Sequence, residues 1–366
     1  MSAATQGAAR VVDQQLALGS ASTLAPYFVS ATSSAQVASN LAQALPQDNA
    51  ALRASQATLA SIGYAVNNRL NDVTGLSTLG VAAGQNPASK AINGFWSQPF
   101  SYSSGMGNST VEGATGTVIG FDLRTSAQQR SGWAFAYANG GTGSLQPNGQ
   151  QRSRLDLWQF LGYSSYTVAP GTELKVYGGA GRNSVDADRR LAIAGVSGSA
   201  KAEYDSLMAT LGTSIGHALQ LSDRTRLIPS LRLDYNHIRD GAYSERGSSS
   251  VAPLLLNVAA RDTDQLIAGF DTQLEQNVTA STRLRVNLGL GYDLINRPAS
   301  TTAAFAGAAN QRFSVTGEDT SPWLMRGGLG VATRWRNGAE VSLDYDAQTR
   351  TDFTDQVASV RASVPF

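Results

Sequence analysis

The chain has 366 residues, 15% of them charged, with 28 basic side chains against 27 acidic ones and a formal net charge of +1. With no basic cluster it carries no electrostatic footprint for nucleic acid, and no window approaches the roughly 18 unbroken apolar residues of a membrane-spanning helix. The 37 glycines, 12 tyrosines and absence of cysteine fit passage through an oxidising compartment without stray disulfides.

Met1-Ser2-Ala3-Ala4 begins no charged n-region followed by an apolar h-region, so a fragment is expected. Residues up to about 75 are rich in Ala, Gln, Ser and Leu. Ser33 to Leu45 and Asp48 to Leu70 suit helices, with Ser33 and Asp48 as N-caps. Between Asn49 and Asp72, Leu52, Leu59, Ile62, Val66 and Leu70 fall on one helical stripe among Ala, Ser, Gln and Asn, and Arg53 and Arg69 are the only basic residues. The chain therefore divides into a helical segment 1–47, a long small-faced helix 48–75, a glycine-containing connection 76–92 and a sheet region 93–366.

From about Gly94 onward, short runs alternate polar and apolar residues between clusters of Gly, Asn, Asp, Ser and Pro. Twelve strands are predicted, near 93–104, 114–125, 131–143, 153–166, 172–187, 202–217, 226–239, 263–276, 282–295, 321–335, 338–348 and 355–366. The clearest sets Leu284, Val286, Leu288, Leu290 and Tyr292 against Arg283, Arg285, Asn287, Gly289, Gly291 and Asp293. Asn337-Gly338 reads as a two-residue hairpin turn before Val341, Leu343 and Tyr345. In 155–166 and 204–215 the facing is ambiguous, which a β-bulge would explain.

Alternation also describes a soluble sandwich or barrel, and the spacing of aromatic residues decides between them. Trp323 and Trp335 share a face twelve steps apart, which at ~3.3 Å per step and a tilt of ~40° spans roughly 30 Å along a membrane normal. With Tyr292 and Tyr345 they mark aromatic girdles bracketing an apolar band. The opposite face carries Arg285, Asn287, Asp293, Arg326, Arg334, Glu340, Asp344 and many glycines, as the inside of a transmembrane barrel does. An even number of strands lets the sheet close edge to edge and hide its backbone groups from lipid. The gaps at 240–262 and 296–320 are then long surface loops, and tight turns such as Asn337-Gly338 lie at the opposite, periplasmic end.

The final strand places Val360, Ala362, Val364 and Phe366 on one face. Together with Gly94-Phe95-Trp96, Ile119-Gly120-Phe121-Asp122, Tyr163, Ile228-Pro229-Ser230-Leu231, Phe305-Ala306-Gly307, Phe313-Ser314-Val315-Thr316-Gly317 and Leu343-Asp344-Tyr345-Asp346, it makes nearly the whole chain resemble the translocator domain of the classical, type Va autotransporters. Each mark is weak alone, and their shared order is specific. Pro365 in the penultimate place departs from the usual pattern. The resemblance implies a monomeric, all-β transmembrane fold: an antiparallel 12-stranded barrel in the outer membrane of a Gram-negative cell, surrounded by outer-membrane lipids. It also implies that the helix 48–75 runs through the pore, that 1–47 is the passenger-proximal junction, that an N-terminal passenger is secreted, and that barrel assembly machinery reads the strand ending in Phe366. A lumen of about twelve strands is roughly one helix wide, ~10–12 Å. Inward Gly120, Ala134, Ala136, Gly179, Gly289, Gly291, Gly328 and Gly330 supply room, and inward Asp122, Asp234 and Asp271 offer partners to Arg69.

Little enzymatic chemistry is expected. His217 and His237, without cysteine, give no zinc or thiol site, and no cofactor is expected. Gly212-Thr213-Ser214-Ile215-Gly216 has the nucleophile-elbow spacing but sits inside a strand, where the required sharp turn cannot form. Asn67-Asn68 is a candidate self-cleavage site, because it resembles the Asn-Asn bond at which serine protease autotransporters of enterobacteria free their passengers inside the barrel. The residues following it differ from that group's pattern, and the plainer reading is two polar helix residues facing the wall. A small-solute channel is the second functional reading and would need an open lumen. A barrel enzyme is the third and would need a constellation at the rim.

Overall fold

The computed structural model describes all residues except 1–2, 32, 47–49, 74–92, 107–109, 127, 145–150, 318–319, 352–353 and 366. The connection expected at 76–92, the cap expected at Asp48 and the terminal Phe366 lie outside the described residues. Twelve antiparallel strands form the barrel: β1 (Gly94–Met106), β2 (Thr110–Arg124), β3 (Gln129–Ser144), β4 (Gln151–Ala169), β5 (Thr172–Ile193), β6 (Val196–His217), β7 (Thr225–Asp240), β8 (Arg261–Asn277), β9 (Thr282–Asp293), β10 (Trp323–Arg334), β11 (Glu340–Thr349) and β12 (Thr354–Pro365). The last strand pairs with the first, Gly94 opposite Pro365, and β6 pairs with β7, Ser206 opposite Asp240. Every barrel strand thus has two neighbours, so the sheet closes on itself, the condition for sheet in lipid.

The connections at one end are all short. Gly171 and Gly338 take φ of +75° and +86° there, a backbone conformation in which a Cβ would be strained. The last of these turns corrects the two-residue reading of Asn337-Gly338. Trp335 N donates to Ala339 O and Gly338 N to Trp335 O, so the loop is three residues long, 336–338. Gly338 alone is left-handed, and such a loop is a type I turn closed by a glycine bulge.

At the other end the β5–β6 hairpin runs past its neighbours, and the two long loops fold onto it instead of remaining irregular. Tyr243–Ser244, Leu256–Val258, Ser300–Phe305 and Arg312–Thr316 make a four-stranded antiparallel sheet, with a 3₁₀ turn at Ser249–Leu254. Two helices pack into this cap: α1 (Ala3–Ala17) and α2 (Ser34–Ala44), the second capped by Ser33 Oγ accepting from Gln36 N. Leu24, Phe28 and Leu41 are buried there among Leu191, Ile193, Leu254, Phe305 and Phe313.

The third helix, α3 (Ala50–Val73), runs inside the barrel. Its first turns meet Leu155 and Val185 below the cap, and its last turns meet Asp122, level with the start of β1. Among the described residues no helix is long and apolar enough to cross a membrane.

Candidate functional site

The barrel is inside out relative to a soluble protein. Along β9, Leu284, Leu288 and Leu290 are exposed while Arg283, Arg285 and Asp293 are buried. Exposed Phe160, Leu207, Leu211, Leu231, Phe270, Met325, Leu329 and Leu343 continue an apolar band around the outside. A continuous apolar surface of this size is unstable in water and stable in lipid. Several buried charges pair across the lumen wall, as in Arg285–Asp344 at 2.5 Å and Arg226–Glu275.

α3 fills that polar lumen asymmetrically. Its stripe of Leu52, Leu59, Ile62, Val66 and Leu70 lies in one apolar cluster with Val118, Ala134, Ala136, Leu157 and Leu161. This contact explains the ambiguous facing of β4. Leu155, Leu157, Leu161 and Tyr163 point inward to the helix, while Trp158, Phe160 and Tyr166 point outward, so both faces are apolar. The bulge inferred to explain it is absent. The only register shift between β4 and β5 falls at the turn, between Thr167 and Ala169, and the paired part of β6 has none. The hydroxyls of Ser55, Thr58 and Ser61 donate to carbonyls one turn back within α3, and Ser55 Oγ also accepts from Asn183 of the wall at 3.0 Å.

A buried ionic contact ties the last turns of the helix to the wall. Arg69 Nε donates to Asp122 Oδ2 at 2.8 Å and Nη2 reaches the same oxygen; both side chains are buried. Tyr163 donates to Asp122 Oδ1 at 2.6 Å, and Trp96 Nε1 donates to the Tyr163 hydroxyl at 2.7 Å. Each acceptor thus has its donor, the condition under which a buried ion pair is tolerated. Gly120 and Gly132 admit the two rings. A Cβ at Gly120 would come within 2.6 Å of the Trp96 indole, and one at Gly132 within 2.4 Å of the Tyr163 ring. Arg69 and Asp122 were legible as possible partners. The convergence of Trp96 and Tyr163 upon them was not, although all three wall residues belong to marks singled out in the sequence.

On the other side α3 meets charged wall. Tyr64 donates to Gln348 at 3.1 Å and lies under the Arg326 guanidinium, 4.9 Å from its ring centre. Asn71 bridges Gln273 and Lys175. Two cavities of about 140 and 100 Å³ remain along this side; Asn67 borders both, and Asn68, Asp271 and Asp346 border the smaller. Asn67 and Asn68 both sit within the continuous α-helix. Asp271 is held by Arg232, so Asp122 is the one of the three candidate carboxylates that meets Arg69.

The remaining sequence candidates, apart from Ser214, which borders the smaller cavity, lie on the outer surface. Trp323, Trp335, Tyr292 and Tyr345 all point outward, and Trp323 stands edge-on to Tyr292 at 4.9 Å. Val360, Ala362 and Val364 form the exposed face of β12. His217 sits at the end of β6 against Thr172, and His237 faces outward between Asp262 and Asp264. Ser214 lies within β6, with no strand-to-helix turn.

A family model described as "Autotransporter beta-domain" matches residues 93–346. Among solved structures, the translocator domain of the autotransporter NalP from Neisseria meningitidis superposes with a TM-score of 0.61 at 14% identity, covering 84% of this chain and 98% of that one. The beta domain of the Bordetella autotransporter Brka gives 0.50 at 17% identity, with 74% and 98% covered. A search of curated proteins finds no match.

Proposed function

The chain belongs to the autotransporter β-domain family, and from that premise we propose that it lies in the outer membrane of a Gram-negative cell as a helix-plugged translocator that supports secretion of an N-terminal passenger. The observation that carries this reading is α3 inside a closed barrel, entering at the long-loop end and leaving beside the start of β1. A chain so placed has its passenger side at the cap and its barrel side at the tight turns, which is the path of a polypeptide already delivered. Type V secretion is the function of the family, and the barrel performs it as a monomer surrounded by outer-membrane lipid. Trp323, Trp335, Tyr292 and Tyr345 serve as girdles, and Val360, Ala362 and Val364, completed by Phe366, as the surface that barrel assembly machinery binds. The domain assignment follows: 1–47 as passenger-proximal junction, 48–75 as lumen helix, 76–92 as connection and 93–366 as barrel.

Planar-bilayer recording tests the plug. The intact chain is expected to rest in a low-conductance state, and a chain lacking Ala50–Val73 to open stable pores several times larger. Equal large pores from both would instead support the small-solute channel.

The barrel is not an enzyme, and the one covalent step we attach to it is scission at Asn67–Asn68. The Asn67 side-chain amide nitrogen would attack its own backbone carbonyl, closing a succinimide, while the amide proton passes to the departing nitrogen of Asn68. Support comes from the cavity that both residues share with the carboxylates of Asp271 and Asp346, which could relay that proton. Mass spectrometry of the folded protein is expected to show two fragments parted at this bond and an intact chain for Asn67→Gln. An intact wild-type chain assigns both residues to wall contacts alone.

A further inference from the structure

We propose that the apolar cap at the long-loop end is a non-covalent clasp, holding residues 3–45 and any chain joined ahead of them to the barrel after the link through α3 has been cut. The clasp is a mixed core. Val11, Val12, Leu24, Phe28, Leu41 and Leu45 come from the amino-terminal segment, and Ile193, Leu254, Phe305, Phe313 and Val315 from the β5–β6 hairpin and the two long loops. Remove the segment and these loop residues face water, so the loops and the segment complete one another as the halves of an obligate interface do.

The fit is close as well as apolar. A Cβ on Gly307 would lie 2.6 Å from Thr23 Oγ1 and 3.2 Å from Leu24 Cγ, and one on Gly7 would lie 3.0 Å from the Ser314 carbonyl oxygen. Polar ties fix the register. Arg189, fully buried, donates to the Gln43 carbonyl at 2.7 Å while Glu245 closes its other edge at 2.5 Å. Gln43 Oε1 accepts from Ala192 N at 3.0 Å, Gln15 donates to Gln311 at 3.0 Å, and Tyr27 donates to the Ser250 carbonyl at 2.7 Å. Most of these contacts bridge residues more than 140 positions apart, and none passes through α3. Cutting α3 or its junction therefore removes a covalent restraint and leaves the interface whole.

That the clasp faces the cell surface rests on the translocator reading; its strength does not. A protease recognition sequence placed between Pro46 and Ala50 allows the full-length protein to be cut in detergent, and the release of the 1–46 fragment to be followed by gel filtration after dilution. The fragment is expected to stay with the barrel. Phe305→Asp on the loop side and Leu41→Asp on the helix side, each burying a charge in the apolar core, should each speed release by roughly 100-fold or more, since losses at an interface appear chiefly in the off-rate. Barrel folding in each variant is checked by heat-modifiable gel migration, and Arg189→Met combined with Glu245→Gln, which removes the ion pair without leaving a lone buried charge, should give an intermediate rate. Immediate loss of the fragment from the cut but otherwise wild-type protein, or equal release from wild type and both aspartate variants, overturns the clasp. The same cut on intact cells separates the two ideas. Retention in detergent with no cutting on cells would leave the clasp standing and contradict the orientation.

Discussion

Asp122→Ala is expected to destabilise the folded protein by about 3–5 kcal/mol in guanidinium unfolding from detergent, the usual cost of leaving a buried charge without its counterion. The size follows from geometry. Arg69 and Asp122 are both almost wholly buried, and Asp122 also accepts from Tyr163, which in turn accepts from Trp96. Removing the carboxylate leaves a guanidinium and a phenol facing a space from which water is largely excluded. Replacing both partners with apolar residues, Asp122→Leu with Arg69→Met, should recover most of that loss, because the pair itself contributes little net stability against a well-packed apolar equivalent. A loss below about 1 kcal/mol for Asp122→Ala would mean that the helix is not held at this point.

The second large effect concerns the outer face. Leu288 is 64% exposed in the middle of β9, whereas Leu221 is 59% exposed beside the turn that precedes β7. In water the two would respond alike to arginine. In a bilayer Leu288→Arg should cost about 2–4 kcal/mol and Leu221→Arg about 0–1, because the penalty for a cation falls steeply from the midplane to the interface. Refolding into phospholipid vesicles with denaturant titration reads both values. Similar small costs at the two positions would place the apolar band outside lipid.

The strands were legible in the sequence because period-two alternation is a local signal, and in β9 the inward face is polar and the outward one apolar. The stripe on α3 was legible for the same reason at a helical period. What escaped was everything set by contacts distant in the chain. β4 looked ambiguous because its inward leucines answer the stripe of α3, a pairing no local window contains. The cap escaped because its strands are two to six residues long, too short to show a period, and because its core is shared between the amino terminus and loops far along the chain. α1 carries few large apolar residues and gave no strong pattern of its own. The tie at Arg69 was half legible: opposite charges invited pairing with Asp122, Asp234 or Asp271, but only the closed barrel sets Asp122 beside the last turns of the helix while Arg232 occupies Asp271.

The central claim is that this barrel delivers a polypeptide to the cell surface, and a reporter tests it directly. An epitope-tagged, export-competent segment fused ahead of Ala3 should be labelled by antibody on intact cells, and labelling should vanish when β12 is deleted and the barrel can no longer close against β1. A reporter that stays inaccessible on intact cells, while the full barrel is present in the membrane and shows heat-modifiable migration, would contradict the account.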